Sequence, residues 1–211
     1  REVDERSRAI GQPEGDWRVW LVMAGRGFGK TRMGAEWVRE RAEADGNFRI
    51  ALVGATMIEA RNVMVEGESG LLAVAANGMP VRWEPSLKRL SWANGAVAQL
   101  YSAAEPESLR GPQHHFAWAD EIAKWPYGVA AWDNLTMGLR LGVQPQAMAT
   151  TTPRPVPLIR RLHDGADVQR TIGRTIDNVA NLPMAYIRAM QAEYGNTRLG
   201  RQELDGGLVE D

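Results

Sequence analysis

The stretch AGRGFGKT, residues 24 to 31, constrains this chain more than any other feature. Glycines at 25, 27 and 29 free the backbone to turn its amide N–H groups inward, and Lys30 adds a point charge that an ordinary turn does not need. The spacing fits the phosphate-loop pattern G-x-x-x-x-G-K-[ST], with Ala24 in place of the first glycine. In the chemistry this pattern serves, loop amides cradle the α- and β-phosphates, Lys30 reaches the β- and γ-phosphates, and the Thr31 hydroxyl ligates Mg²⁺. The run VWLVMA ahead of the loop reads as a buried strand, and Met33, Trp37 and Val38 behind it recur at helical spacing. A glycine-rich turn is the bland alternative, and the strand–loop–helix context weighs against it.

The rest of the chain supplies further strands to such a unit. FRIALVGAT (48 to 56) reads as a second buried strand, followed by a helix from Ile58 to about Val65. MPVRWEP, RLSWANG and AVAQLYSA (79 to 103) read as shorter strands, with Asn94-Gly95 marking a tight turn. HHFAWADE (114 to 121) and PQAMATTTP (145 to 153) are two more strand candidates. Strands interspersed with helices predict an α/β fold whose sheet is mostly parallel, with an antiparallel intrusion near 80 to 103. The expected organisation is a leader over 1 to 16, a core over 17 to 165, and a small helical lid or linker lobe over 166 to 211.

Two other strand ends carry chemistry. Asp120 and Glu121 close the FAWADE strand, where open α/β sheets place their ligands; Asp120 suits a Mg²⁺ shell and Glu121 suits polarising a water. Read alone, the pair is a solvated strand end. ATTTP ends the following strand with three hydroxyls, which either sense a γ-phosphate or simply reflect the strand preference of threonine. His114 and His115 point to opposite strand faces and read as structural rather than metal-binding. Trp20, Trp37 and Trp118 read as core.

Taken together, AGRGFGKT, SLRGPQHHFAWADEIAKW, ATTTP and TRLGRQELDG resemble the ATPase portion of large terminase subunits, the motors that package DNA into tailed-phage capsids and gene transfer agents. The resemblance implies a RecA-like, ASCE-type P-loop fold and Mg·ATP as substrate. It implies nucleotide binding by Ala24, Gly25, Arg26, Gly27, Phe28, Gly29, Lys30 and Thr31, with Arg26 and Lys30 meeting the phosphates. Asp120 and Thr31 inherit metal coordination, Glu121 the catalytic role, and Thr151 and Thr152 the coupling motif. Arg110 matches a family segment whose cation reaches a phosphate in its own or a neighbouring subunit; pairing with Glu107 is the equal alternative. Gln12 either reads the adenine edge, as a glutamine does in this family, or is a plain leader residue. The implied partners are double-stranded DNA, a portal protein, a small terminase subunit and other copies in a ring on the procapsid, with a monomer in isolation as the other possibility. Nuclease activity is not expected of this segment, because the family's metal-binding nuclease carboxylates lie beyond ELDGGLVED.

Composition sets outer bounds. With 25 basic and 26 acidic residues there is no overall basic field, so any DNA contact is local. The absence of cysteine excludes disulfides, thiolate zinc sites and a cysteine nucleophile. No apolar run reaches the roughly 18 residues needed to span a bilayer, so a soluble intracellular protein without membrane contact is the expectation, and the resemblance implies the bacterial host cytoplasm. Two rivals remain at this stage: a lobe of a superfamily 2 helicase, which needs a second RecA-like lobe, and a non-hydrolysing nucleotide-binding assembly module, against which Lys30 and Glu121 together argue.

Overall fold

The computed structural model describes residues 12–76 and 78–208; residues 1 to 11 of the expected leader lie outside them. Eight strands form one sheet in the order β3-β4-β5-β2-β6-β7-β1-β8. They are β1 (Val19–Ala24), β2 (Arg49–Gly54), β3 (Val81–Glu84), β4 (Arg89–Trp92), β5 (Val97–Ser102), β6 (Phe116–Ala119), β7 (Gln146–Thr151) and β8 (Val168–Gly173). All neighbours pair in parallel except β3 with β4 and β4 with β5. The antiparallel intrusion therefore comprises β3 and β4, while β5 returns to run parallel with β2. The turn before β5 uses the residues expected of it: Gly95, at φ 104, donates its amide to the Trp92 carbonyl.

Burial on both faces explains why the central strands read as continuous apolar runs rather than alternating ones. On one face Trp20, Val22, Leu52, Trp118 and Met148 pack with Met33, Trp37 and Val38 of helix α1 (Lys30–Ala44). Gly34 lets this helix approach closely, since a Cβ there would lie 2.1 Å from the Trp118 ring. On the other face Leu21, Met23 and the small residues Ala117, Ala119, Ala147 and Ala149 pack with two helices, Gly128–Gly138 and Pro157–His163. The expected helix near Ile58 is present as a short α-helix, Met57–Glu59, running into a π-helix, Ala60–Val65.

One strand lies where the sequence reading has none. β8 begins past residue 165 and pairs along the whole of β1, from Val19↔Val168 to Ala24↔Gly173. Its VQRTIG sequence is buried only at Val168 and Gly173, as befits an edge strand, and gives no apolar run to recognise. The sheet thus draws on both sides of the boundary expected at 165. Two further helices, Met184–Tyr194 and Arg198–Glu203, follow it.

Just ahead of β6, His114 is buried, with its Nε2 3.1 Å from the Tyr101 hydroxyl and its Nδ1 without a partner. Burial, with His115 a lesser contributor, lowers its pKa from 6.5 to about 4. The unfolded chain therefore takes up a proton that the folded chain refuses, so the stability held above pH 6.5 drains away as pH falls toward 4. The loss is about 3 kcal/mol over that window. Urea unfolding at several pH values should show a steeper decline for the native chain than for His114→Phe, and parallel curves would contradict this account.

Candidate functional site

The phosphate-loop lysine is buried at the C-terminal ends of three adjacent strands. Loop strand β1 has β7 beside it and β6 next, so the hydroxyl-bearing strand separates the glycine loop from the acidic pair. The register Met23↔Thr151 places Thr152 next to the start of the loop. The Lys30 ammonium donates to the Ala24 carbonyl at 2.9 Å, the Gly25 carbonyl at 3.2 Å and the Thr152 hydroxyl at 3.1 Å, and lies 3.7 Å from Glu121 Oε1. Thr152 in turn donates its hydroxyl to Glu121 Oε1 at 3.3 Å and its amide to Oε2 at 3.2 Å. One hydroxyl thus links the loop cation to the carboxylate expected to polarise water. Burial pulls the Lys30 pKa below its usual value, opposed by Glu121 and then Asp120.

The glycines do different jobs. Gly27 at φ 76 and Gly29 at φ 104 occupy left-handed backbone that side chains disfavour. Gly25 is instead a matter of space, because a Cβ there would meet the Leu204 carbonyl at 2.4 Å. The C-terminal segment lies against this part of the loop. The Gly25 amide donates to the Gly173 carbonyl at 3.0 Å, the Arg26 amide to the Glu203 carbonyl at 2.7 Å, and the Thr175 hydroxyl to the Arg26 carbonyl at 2.7 Å. Asn178 adds a bond to the Gly27 carbonyl at 2.7 Å. Helix α1 then begins with no side-chain cap and no acidic residue in its first turn, which leaves its positive end to an anion.

Asp120 is buried, and its Oδ1 accepts from the Thr150 hydroxyl at 2.6 Å. Burial raises its pKa to about 6, with the Thr150 bond pulling the other way. Glu121, at φ 48, is one of two non-glycine residues in left-handed backbone among those described, a conformation that costs of order 1–3 kcal/mol and gathers at functional sites. The oxygen donors of Thr31 and Asp120 suit a hard cation. Among the described residues no group of three or more histidines, cysteines or carboxylates could hold a metal ion.

These elements open onto a cavity of about 1170 Å³ lined by Arg26 through Met33, Glu121, Thr152 and residues of the C-terminal segment including Asn178, Tyr186 and Glu203. The expected loop residues Arg26 to Thr31 therefore share one cleft with Glu121 and Thr152. Ala24 contributes its carbonyl to Lys30 from beneath. Arg26 is held by Glu203, Nε to Oε2 at 2.6 Å. Thr151 is buried and accepts from the Ala123 amide, bracing the turn after the acidic pair. Arg110 and Gln12 are exposed and do not line the cleft; Arg110 pairs with Glu107 at 3.0 Å, as the alternative reading had it. Thr150 and Glu203 were not singled out from the sequence. Strand alternation is the available signal for Thr150, which shares a face with Thr152, and Glu203 lies within TRLGRQELDG, a segment that carries the resemblance but assigns it no role.

The fold and the site define a P-loop nucleoside-triphosphatase architecture with an extra strand between the loop strand and the acidic strand. The family model for the N-terminal part of terminase large subunits, T4likevirus type, matches residues 21–211, and the chain belongs to that family. The match removes the helicase-lobe alternative. Among solved structures, the chain resembles the large terminase ATPase domain of Thermus phage P74-26 (TM-score 0.69, 16% identity, covering 96% of this chain and 92% of that one). It also resembles the large terminase of a thermophilic bacteriophage in complex with ADP (TM-score 0.73, 16% identity, 90% and 48%) and that of bacteriophage HK97 (TM-score 0.64, 15% identity, 97% and 50%). This chain thus spans about half the length of the latter two proteins. No curated protein sequence matches.

Thr150→Val should remove the acceptor of the Trp118 indole N–H and the donor to Asp120 together. Denaturant unfolding should show a loss of about 1–3 kcal/mol. The Asp120 carboxyl should also ionise at higher pH, because the Thr150 bond that favours its charged form is gone.

Proposed function

We propose that this domain binds Mg·ATP over the Gly25 to Thr31 loop and hydrolyses it, as the motor portion of a large terminase that drives double-stranded DNA into a procapsid. The observation that carries the reading is the Lys30–Thr152–Glu121 linkage, which joins the phosphate loop, the middle strand and Glu121 inside one cleft, with the adjacent Asp120 buried and outside the lining. The complexes of the thermophilic-phage large terminase with ADP and with ATP-γ-S support the choice of nucleotide. Loop amides and the Lys30 ammonium hold the phosphates in place, and Glu121 orients and deprotonates the attacking water. Lys30 and Arg26 neutralise charge that builds on the transferred group, Arg26 by exchanging Glu203 for phosphate. Thr31 and Asp120 would hold Mg²⁺, which would supply positive charge against the phosphates. Thr152, bonded to both Lys30 and Glu121, reports the state of the nucleotide to β7, with Thr151 bracing the adjoining turn.

Arg110, exposed at the surface, is available to a neighbouring subunit's nucleotide, and Gln12 to an adenine edge once ATP is seated. The wider assembly is a ring on the procapsid with portal protein and small terminase subunit, acting in the bacterial cytoplasm; the isolated domain is a monomer. Among the described residues no helix is long and apolar enough to cross a membrane.

Phosphate release with Mg·ATP tests the reading. Lys30→Ala should abolish turnover, and steady hydrolysis by a variant that still folds by circular dichroism would refute it. Glu121→Gln should still bind nucleotide while its turnover falls about 10²- to 10⁴-fold.

A further inference from the structure

Five basic side chains line the cleft, namely Arg26, Lys30, Arg32, Lys124 and Arg154. Three already face a carboxylate: Arg26 has Glu203 at 2.6 Å, Lys30 has Glu121 at 3.7 Å and Arg32 has Glu36 at 2.6 Å. Arg154 makes no ion pair with any described residue; Lys124 makes none either, although its charge acts on buried Asp120 and lowers that carboxyl's pKa. Five carboxylates, Glu36, Glu68, Glu121, Asp177 and Glu203, line the cleft as well, so position rather than net charge decides: a guanidinium that faces the cleft with no ion-pair partner can take an anionic ligand as its counter-ion.

Both come from the strand ends that carry the acidic pair and the threonines. Lys124 ends the turn Ile122–Lys124 after β6, and Arg154 stands two residues beyond Thr152 after β7. Two residues of extended chain span about 7 Å, so Arg154 leaves the backbone within side-chain reach of the Lys30–Thr152–Glu121 group. Its backbone is also fixed. Pro153 and Pro155 flank it and Pro157 follows, so proline rings set the φ angles on either side and the residue before Pro155 is kept out of the helical region. The Val156 amide donates to the Arg154 carbonyl at 2.8 Å and closes the bend. An exposed arginine on a proline-braced bend loses little backbone entropy on engaging a ligand.

We infer that Arg154, assisted by Lys124 from the neighbouring strand end, is a second cationic contact to the terminal phosphate of a bound nucleoside triphosphate, reaching it from the strand-end loops while Arg26 and Lys30 reach it from the glycine loop. The inference rests on the nucleotide reading above. A planar guanidinium can grip two phosphate oxygens at once, which makes the contact sensitive to the third phosphate. Nucleotide phosphate is favoured over DNA phosphate because both cations line the same cleft as Lys30, Glu121 and Thr152.

Calorimetric titration of the 211-residue chain with Mg·ADP and with the β,γ-imido analogue of Mg·ATP tests it. Arg154→Ala should weaken the triphosphate analogue about tenfold to a hundredfold and leave ADP within about twofold. Arg154→Lys should fall between, since the charge stays and the two-pronged grip goes. Lys124→Ala should show the same selectivity with a smaller loss. Equal losses for both nucleotides, no loss for either, or a loss seen only in duplex-DNA binding would each overturn the inference. If the native chain binds both nucleotides and Arg154→Ala behaves identically, this inference alone fails; if the native chain binds neither, the nucleotide reading has failed first.

Discussion

The site depends on a buried ammonium group surrounded by fixed oxygens. Taking Lys30 out of water is costly, and its pKa is pushed down accordingly, yet two carbonyls, one hydroxyl and a nearby carboxylate surround it. Because β7 lies between β1 and β6, those oxygens come from three consecutive strand ends, and a different strand order would separate them. The sheet's topology is therefore part of the chemistry. All three N–H groups of this ammonium are committed to protein oxygens, so on the proposed reading an arriving phosphate takes one of them from its present acceptor, and the remaining two keep the group in place.

The same arrangement explains where strain is tolerated. Glu121 sits in left-handed backbone immediately after a fully buried strand, and its two carboxylate oxygens are both bonded to Thr152. The Thr151 hydroxyl accepts from the Ala123 amide just beyond, so β7 fixes the turn from two sides. The bonds from β7 offset the conformational cost and aim the carboxylate into the cleft.

Much of this was legible because the signals are local. The loop, the strand before it, the helix behind it and the acidic strand end each announce themselves within a few residues, by glycine spacing, apolar runs and paired carboxylates. The contribution of the C-terminal segment was not legible, for two physical reasons. β8 is an edge strand with one wet face and so lacks the apolar run that marked β1 and β2. Its hold on the loop runs mainly through backbone groups, from Gly25 to Gly173 and from Arg26 to Glu203, which carry no side-chain signature. The three hydroxyls of ATTTP could be recognised as a group but not told apart. Only the register shows that Thr150 serves Asp120, Thr151 the following turn, and Thr152 the cleft.

The bonds between loop and C-terminal segment differ in strength, and the difference bears on how nucleotide and segment communicate. The Arg26–Glu203 ion pair has an arginine side chain that is 64% exposed, so water screens it and it contributes little to stability. A phosphate with its multiple negative charge competes for that guanidinium at small cost. The backbone bonds are of another kind: the Arg26 amide to the Glu203 carbonyl and the Thr175 hydroxyl to the Arg26 carbonyl, both at 2.7 Å, are shielded by the chain packed over Gly25. Arg26 can therefore change partners while its backbone stays tied to residue 203. The Glu203 carboxylate is then released at the end of its helix while its own main chain remains attached to the loop. On the proposed nucleotide reading, a phosphate that engages Arg26 would therefore be felt by the C-terminal segment through a connection one residue long.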